Sequence, residues 1–314
     1  MIRLGASSMF FHEYQPAEIF SALHTAGLDH IEFWMETPEF WMQGADPAVL
    51  LDLMKRYPDL APIAMHAPIF DLNPCSFNPG VAKLSAEYTC KTIELLNRLG
   101  GGVLTIHPGK RTAKRPIGQL DRARLTAYLD TVSKSSFGTS VTVAIENMPP
   151  AINAQLVTPD AMRAILDEYA WLSCTWDYAH AQAALPNYPF AFLRECGDRI
   201  VNIHASLGTA KMMHMPLAET SAGEALVREL AAAQYAGQVT CELEDLNFGR
   251  QLCYAEKTAV LKKEVCWFRS ILPASRTLPV REKKEYTRDL RCKARFCDHF
   301  MHSYSQTYIY RFCK

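Results

Sequence analysis

Apolar residues in this chain fall into short unbroken runs, and each run stops at a polar residue. The clearest is Val141-Thr142-Val143-Ala144-Ile145, which runs into Glu146-Asn147 and is closed by Met148-Pro149-Pro150. A continuous apolar run of this length predicts a strand buried on both faces, as in a parallel sheet. The same pattern leads Ala61–Met65 to His66, Val103–Ile106 to His107, Leu172–Trp176 to Asp177, Ile200–Ile203 to His204 and Gln238–Cys241 to Glu242. Two earlier runs, Arg3–Ser8 and His30–Met35, complete a set of eight.

Helical signals separate the runs. Pro16 opens a helix ended by Gly27, Pro47 begins one to Tyr57, and Asn78-Pro79 caps a long one to Leu99 before Gly100-Gly101-Gly102. Further helices are predicted over 119–134, 161–169, 190–196, 223–235 and 249–272. Eight strand–helix units without a hairpin signal predict an α/β fold, a closed (β/α)8 TIM barrel over residues 1–272. An open doubly wound sheet fits less well, because no glycine-rich turn follows the first strand. Residues 273–314 break the pattern and predict a basic, weakly ordered C-terminal tail.

Composition changes this picture only in its details. The 314 residues carry 33 Lys/Arg and 33 Asp/Glu, so no bulk positive surface argues for nucleic acid. The charge is uneven: from Pro273 onward there are 10 Lys/Arg against 4 Asp/Glu, leaving the barrel segment with 23 against 29. Ten cysteines without paired spacing, no signal-peptide pattern and no membrane-length apolar run are the pattern of a reduced, cytoplasmic protein.

Barrel enzymes place their chemistry at the C-terminal ends of the strands, where every one of these terminal residues falls. Six imidazoles and carboxylates on six strands predict a divalent-metal site made of His66, His107, Glu146, Asp177, His204 and Glu242, with His180 three residues beyond Asp177. The loop after His107 adds Lys110, Arg111, Lys114 and Arg115, which suit an anionic or phosphorylated small substrate. Trp34 and Trp41, with Phe10, Phe11, Tyr14 and Phe40, supply aromatic surface for stacking on it.

His66-Ala67-Pro68, His107-Pro108-Gly109, Glu146-Asn147, Asp177-Tyr178-Ala179-His180, His204 and Glu242 resemble the ligand motifs of the endonuclease IV family. That family belongs to the xylose-isomerase-like barrel superfamily of sugar isomerases and epimerases. The resemblance implies a first metal on His66, His107 and Glu146, and a second on Glu146, Asp177, His204 and Glu242, with zinc or manganese as the ions. It implies a third on His180 and His214, where the family has Asp-Arg-His and this chain has Met212-Met213-His214. A thioether is a poor substitute for a carboxylate on such a cation, so the third site is expected to be weakened, and DNA is an unlikely partner. A bridged metal pair suits hydrolysis of a phosphoester or phosphodiester, the leading expectation. The Glu-Asp-His-Glu set alone resembles that of the sugar epimerases, so the alternative is a sugar or sugar-phosphate isomerase or epimerase moving a proton between Glu146 and Glu242.

Overall fold

The computed structural model describes residues 2–209 and 211–272. The expected basic tail from Pro273 onward lies outside them. Eight strands, β1 (Arg3–Ser7), β2 (His30–Trp34), β3 (Ala64–His66), β4 (Gly102–Ile106), β5 (Val141–Glu146), β6 (Ser173–Asp177), β7 (Ile200–Ala205) and β8 (Gln238–Cys241), pair in sequence order. All pairings are parallel, and β1 closes the ring against β8 through Arg3–Gln238 to Ala6–Cys241. The protein is a TIM barrel.

Among the described residues, ten α-helices connect or follow the strands: α1 (Pro16–Ala26), α2 (Pro38–Met42), α3 (Pro47–Arg56), α4 (Pro79–Arg98), α5 (Gln119–Ser136), α6 (Pro159–Glu168), α7 (Tyr178–Ala184), α8 (Ala191–Cys196), α9 (Ser221–Ala232) and α10 (Tyr254–Ile271). The expected caps are in place. Asn78 accepts from Gly80 N (3.0 Å) ahead of Pro79, Thr158 accepts from Ala161 N (3.4 Å), and Gly27 ends α1 at φ 81°. The last helix begins at Tyr254 rather than Gly249, because Asp245–Phe248 forms a separate 3-10 turn and Gly249 leaves it at φ 74°. No helix among the described residues is long and apolar enough to cross a membrane.

Strand side chains alternate between two different environments. In β2, Ile31 and Phe33 point out to the helices, and Phe33 packs edge-on to Phe40 (5.1 Å) and beside Phe20 of α1 (6.3 Å). The alternate residues His30 and Glu32 point into the barrel and are fully buried there. The apolar core therefore lies between sheet and helices, while the barrel axis holds a polar column. At its base, His30 Nε2 lies 3.1 Å from Thr240 Oγ1, and Gly5 makes room for the ring: a Cβ there would sit 2.3 Å from His30 Nε2.

At the other end of the barrel, one buried lysine ties two loops together. Lys257 of α10 donates to the Phe10 carbonyl (2.7 Å) and to Glu13 (2.6 Å) after β1, and lies 3.2 Å from Asp245 after β8.

Candidate active site

The residue that ends each apolar run stands where the strand leaves the sheet. His66, Glu146 and Asp177 are the last residues of β3, β5 and β6, and His204 is the penultimate residue of β7. His107 and Glu242 are the first residues beyond β4 and β8. Parallel pairing brings these ends to one mouth. Asp177 also caps α7, accepting from His180 N (2.7 Å), and this puts the His180 ring on the first helical turn beside the site. The ring's Nδ1 donates to the Asn147 carbonyl (2.8 Å). His214 arrives from the loop after β7 in a left-handed conformation (φ 58°), held by its carbonyl, which accepts from Glu244 N (3.0 Å). Such a backbone costs a non-glycine residue on the order of 1–3 kcal/mol and is kept where the surroundings enforce it.

Glu146 is the centre. Its Oε2 lies 3.0 Å from His107 Nε2 and 3.5 Å from His66 Nε2, and its Oε1 lies 3.3 Å from His180 Nδ1 and 3.5 Å from His204 Nδ1. Three groups present ligand atoms all within 4.8 Å of one another: His66, His107 and Glu146; Glu146, Asp177, His204 and Glu242; and Asp177, His180 and His214. The third group draws its carboxylate from Asp177, which the second also uses. Met212, the residue expected to weaken it, is half exposed and is not one of the three.

The four-residue group has the donors for a divalent cation. Asp177 Oδ2, His204 Nδ1 and Glu242 Oε2 are buried and make no hydrogen bond, although the last two are only 3.0 Å apart. Buried polar atoms are seldom left without partners, and three converging orphans of this chemistry fit a cation with nitrogen and oxygen ligands.

The electrostatics of the cluster follow from crowding. Burial opposes charge on Glu146, but His107 and His204 outweigh it and hold the carboxyl well below its usual range. His204 in turn is raised well above 6.5, burial being overcome by Glu242 and Glu32. Burial pushes Asp177 up to about 7 against the pull of His180 and His214. His180 rises to about 9, because Asp177 and Glu146 overcome the effect of burial.

Above the cluster opens a cavity of about 500 Å³. Met9, Trp34, Phe70 and Met148 form apolar parts of its wall, and Lys110 and Lys114 enter its lining. Trp34 stacks on the His66 ring at 4.0 Å and 9°. Glu36 fixes the neighbouring wall by accepting from Ile69 N (2.6 Å) and Phe70 N (3.0 Å). The other residues expected to meet substrate are placed elsewhere. Trp41 packs on Tyr88 (4.6 Å), and Arg111 turns back to Asp121 (3.1 Å) and the Pro116 carbonyl (2.9 Å); neither lines the cavity. Phe10, Phe11 and Phe40 are core residues.

One buried acid beside the cluster was not singled out from the sequence. Glu32 lies 2.9 and 3.1 Å from His204 Nε2 through its two oxygens. The signal was its position: with His30 and Trp34 it occupies alternate places in β2, the period that faces one side of a sheet.

Comparison with known proteins agrees with the architecture. The uncharacterized protein MJ1188 of Methanocaldococcus jannaschii is 33% identical over 266 residues, covering 84% of this chain and 94% of its own. The uncharacterized protein MJ1311 of the same organism is 26% identical over 222 residues, covering 65% and 70%. Among solved structures, a D-tagatose 3-epimerase-like protein superposes with a TM-score of 0.69 at 20% identity, covering 86% of this chain and 98% of its own. An L-ribulose 3-epimerase gives 0.70 at 19%, covering 87% and 95%. A D-allulose 3-epimerase from Methylomonas sp. in complex with D-allulose gives 0.68 at 17%, covering 86% and 96%. The family model described as xylose isomerase-like TIM barrel matches residues 20–271, and with that match the chain belongs to the xylose isomerase-like TIM-barrel family.

Proposed function

We propose that this protein is a metal-dependent isomerase or epimerase of a small sugar or sugar phosphate, in which Glu146 and Glu242 exchange a proton with the substrate. The observation that carries this reading is the group of Glu146, Asp177, His204 and Glu242 with its three unpartnered buried atoms. The sugar 3-epimerases that share the fold lend support.

A divalent ion held by those four residues supplies Lewis acidity towards a carbonyl and an adjacent hydroxyl. The chain's own residues do the rest. Glu146 and Glu242 both reach the cavity, from β5 and from the end of β8, with two strands between them. One carboxylate removes the proton from a carbon next to the carbonyl, which flattens that carbon. The other returns a proton from the opposite face and inverts it. Their low proton affinity keeps both in the form that accepts a proton. Trp34 and Phe70 give an apolar wall for the sugar's C–H face and limit water at the reacting carbon.

The cation-lined side of the cavity supports an anionic substituent on the substrate. Among the described residues Arg111 is ion-paired to Asp121, whereas Lys110 and Lys114 pair with no carboxylate. A second reading, phosphoester hydrolysis, is favoured by one observation: His66 and His107 form a further ligand group on the shared Glu146.

Metal-loaded protein incubated in deuterated water with ketoses and ketose phosphates is expected to place deuterium on one substrate carbon. Glu146→Gln and Glu242→Gln should each reduce that exchange by at least about 10²-fold, the contribution of a positioned acid–base group. Ester cleavage without deuterium uptake would reject the isomerase in favour of the hydrolase.

A further inference from the structure

On the side of His204 away from the cavity lies a carboxylate that belongs to none of the three ligand groups. Glu32 is fully buried, and a carboxylate in such a place loses several kcal/mol of hydration unless donors replace the water. Three donors do so. His204 Nε2 reaches both oxygens, Asn202 Nδ2 lies 2.6 Å from Oε2, and Thr105 Oγ1 donates to the same oxygen at 3.4 Å.

The directions of these bonds are set by their neighbours. Asn202 Oδ1 accepts from Thr240 Oγ1 (2.9 Å), so the amide nitrogen is the end turned to Glu32. Thr240, having donated its hydrogen, accepts from His30 Nε2 (3.1 Å). A carboxylate offers acceptors only, so the His204 nitrogen facing Glu32 is the one that carries hydrogen. The opposite nitrogen, Nδ1, faces Glu242 Oε2 at 3.0 Å, Glu146 Oε1 at 3.5 Å and Asp177 Oδ2 at 3.9 Å. A histidine bound to a metal through one nitrogen commonly donates from the other to a carboxylate, which fixes its tautomer and ring plane.

We propose that Glu32 is a positioning residue for ion binding: by accepting from His204 Nε2–H it turns the Nδ1 lone pair toward the ion that Glu146, Asp177 and Glu242 share. Asn202 and Thr105 hold the Glu32 carboxylate in place, and Thr240 holds Asn202. The inference rests on the metal-binding part of the proposed function and is independent of the reaction catalysed.

A double-mutant cycle tests it, with Mn²⁺ and Zn²⁺ affinities of the full chain measured by chelator competition. Glu32→Gln keeps the shape but offers an amide that can face Nε2 with its own hydrogens. It is expected to weaken the affinity about 10–100-fold, the usual effect of losing such a partner. In a His204→Ala background the same substitution should change affinity by less than about threefold, because the side chain it acts through is gone. Unchanged affinity in the single variant overturns the proposal. So does an equal loss in both backgrounds, which would mean that Glu32 acts on the fold or on the whole field of the site. Should Glu32→Gln not fold, Glu32→Asp, which withdraws the acceptors by one methylene, goes through the same cycle with the same two outcomes. Failure of the wild-type chain to bind either ion overturns the metal-binding reading itself, whereas tight binding without any sugar exchange leaves Glu32 to be judged by the cycle alone.

Discussion

Glu146 stands among four imidazoles, and the protons in that crowd are the first thing an entering cation must displace. Asp177 holds its proton up to about pH 7 and His180 up to about pH 9. A group whose metal-free pKa is raised competes for the cation below that pKa and stops competing above it. Affinity for Mn²⁺ is therefore expected to climb between about pH 6 and 9, by about tenfold per pH unit for each proton released. Calorimetric titration in two buffers of different ionisation enthalpy measures that release directly. An affinity flat across this range would contradict the proton count.

Among the elements, β2 shows most directly how one strand serves two purposes. Its outward face supplies Phe33 to the apolar layer, and its inward face supplies His30 and Glu32 to the polar column. Burial, reinforced by Arg3, lowers the His30 pKa to about 3, so the ring is neutral in the fold. The space it fills is left by Gly5 on the neighbouring strand. Gly5→Ala should cost at least about 1–3 kcal/mol of stability as overpacking, measured by urea unfolding, and a change under 0.5 kcal/mol would show that the ring moves freely. The eight strands and the polar residues that end them could be read from the sequence because both-face burial writes itself as an apolar run and a mouth residue interrupts it. The short α2 and α7 could not, since 5 and 7 residues are too few to display a helical period. Glu32 escaped for a different reason. Alternation in β2 gives the side Glu32 faces but not what it meets there, and its partners lie on β4 and β7, 73 to 172 residues away. The turn of Arg111 toward Asp121 and of Trp41 toward Tyr88 was hidden in the same way.

In the molecule as a whole, among the described residues, the ring closes and the last helix ends before Leu272. We accordingly propose the domain boundary there. A chain ending at Leu272 is expected to remain soluble and to bind as many divalent ions as the full chain, as elemental analysis after desalting would show; aggregation of the shortened protein would move the boundary. The clasp made by Lys257 bears on the order in which such a chain becomes an enzyme. The groups it grips lie after β1 and after β8, while the lysine belongs to the last helix. A ribosome releases the first of these groups more than 200 residues before the last. Until then β1 has no partner on its outer edge, Glu242 has no strand to present it, and the loop carrying Phe10 and Glu13 has no cation to gather around. A growing chain thus completes the four-residue set only once β8 has emerged, and no nascent product that stops before Glu242 can carry it.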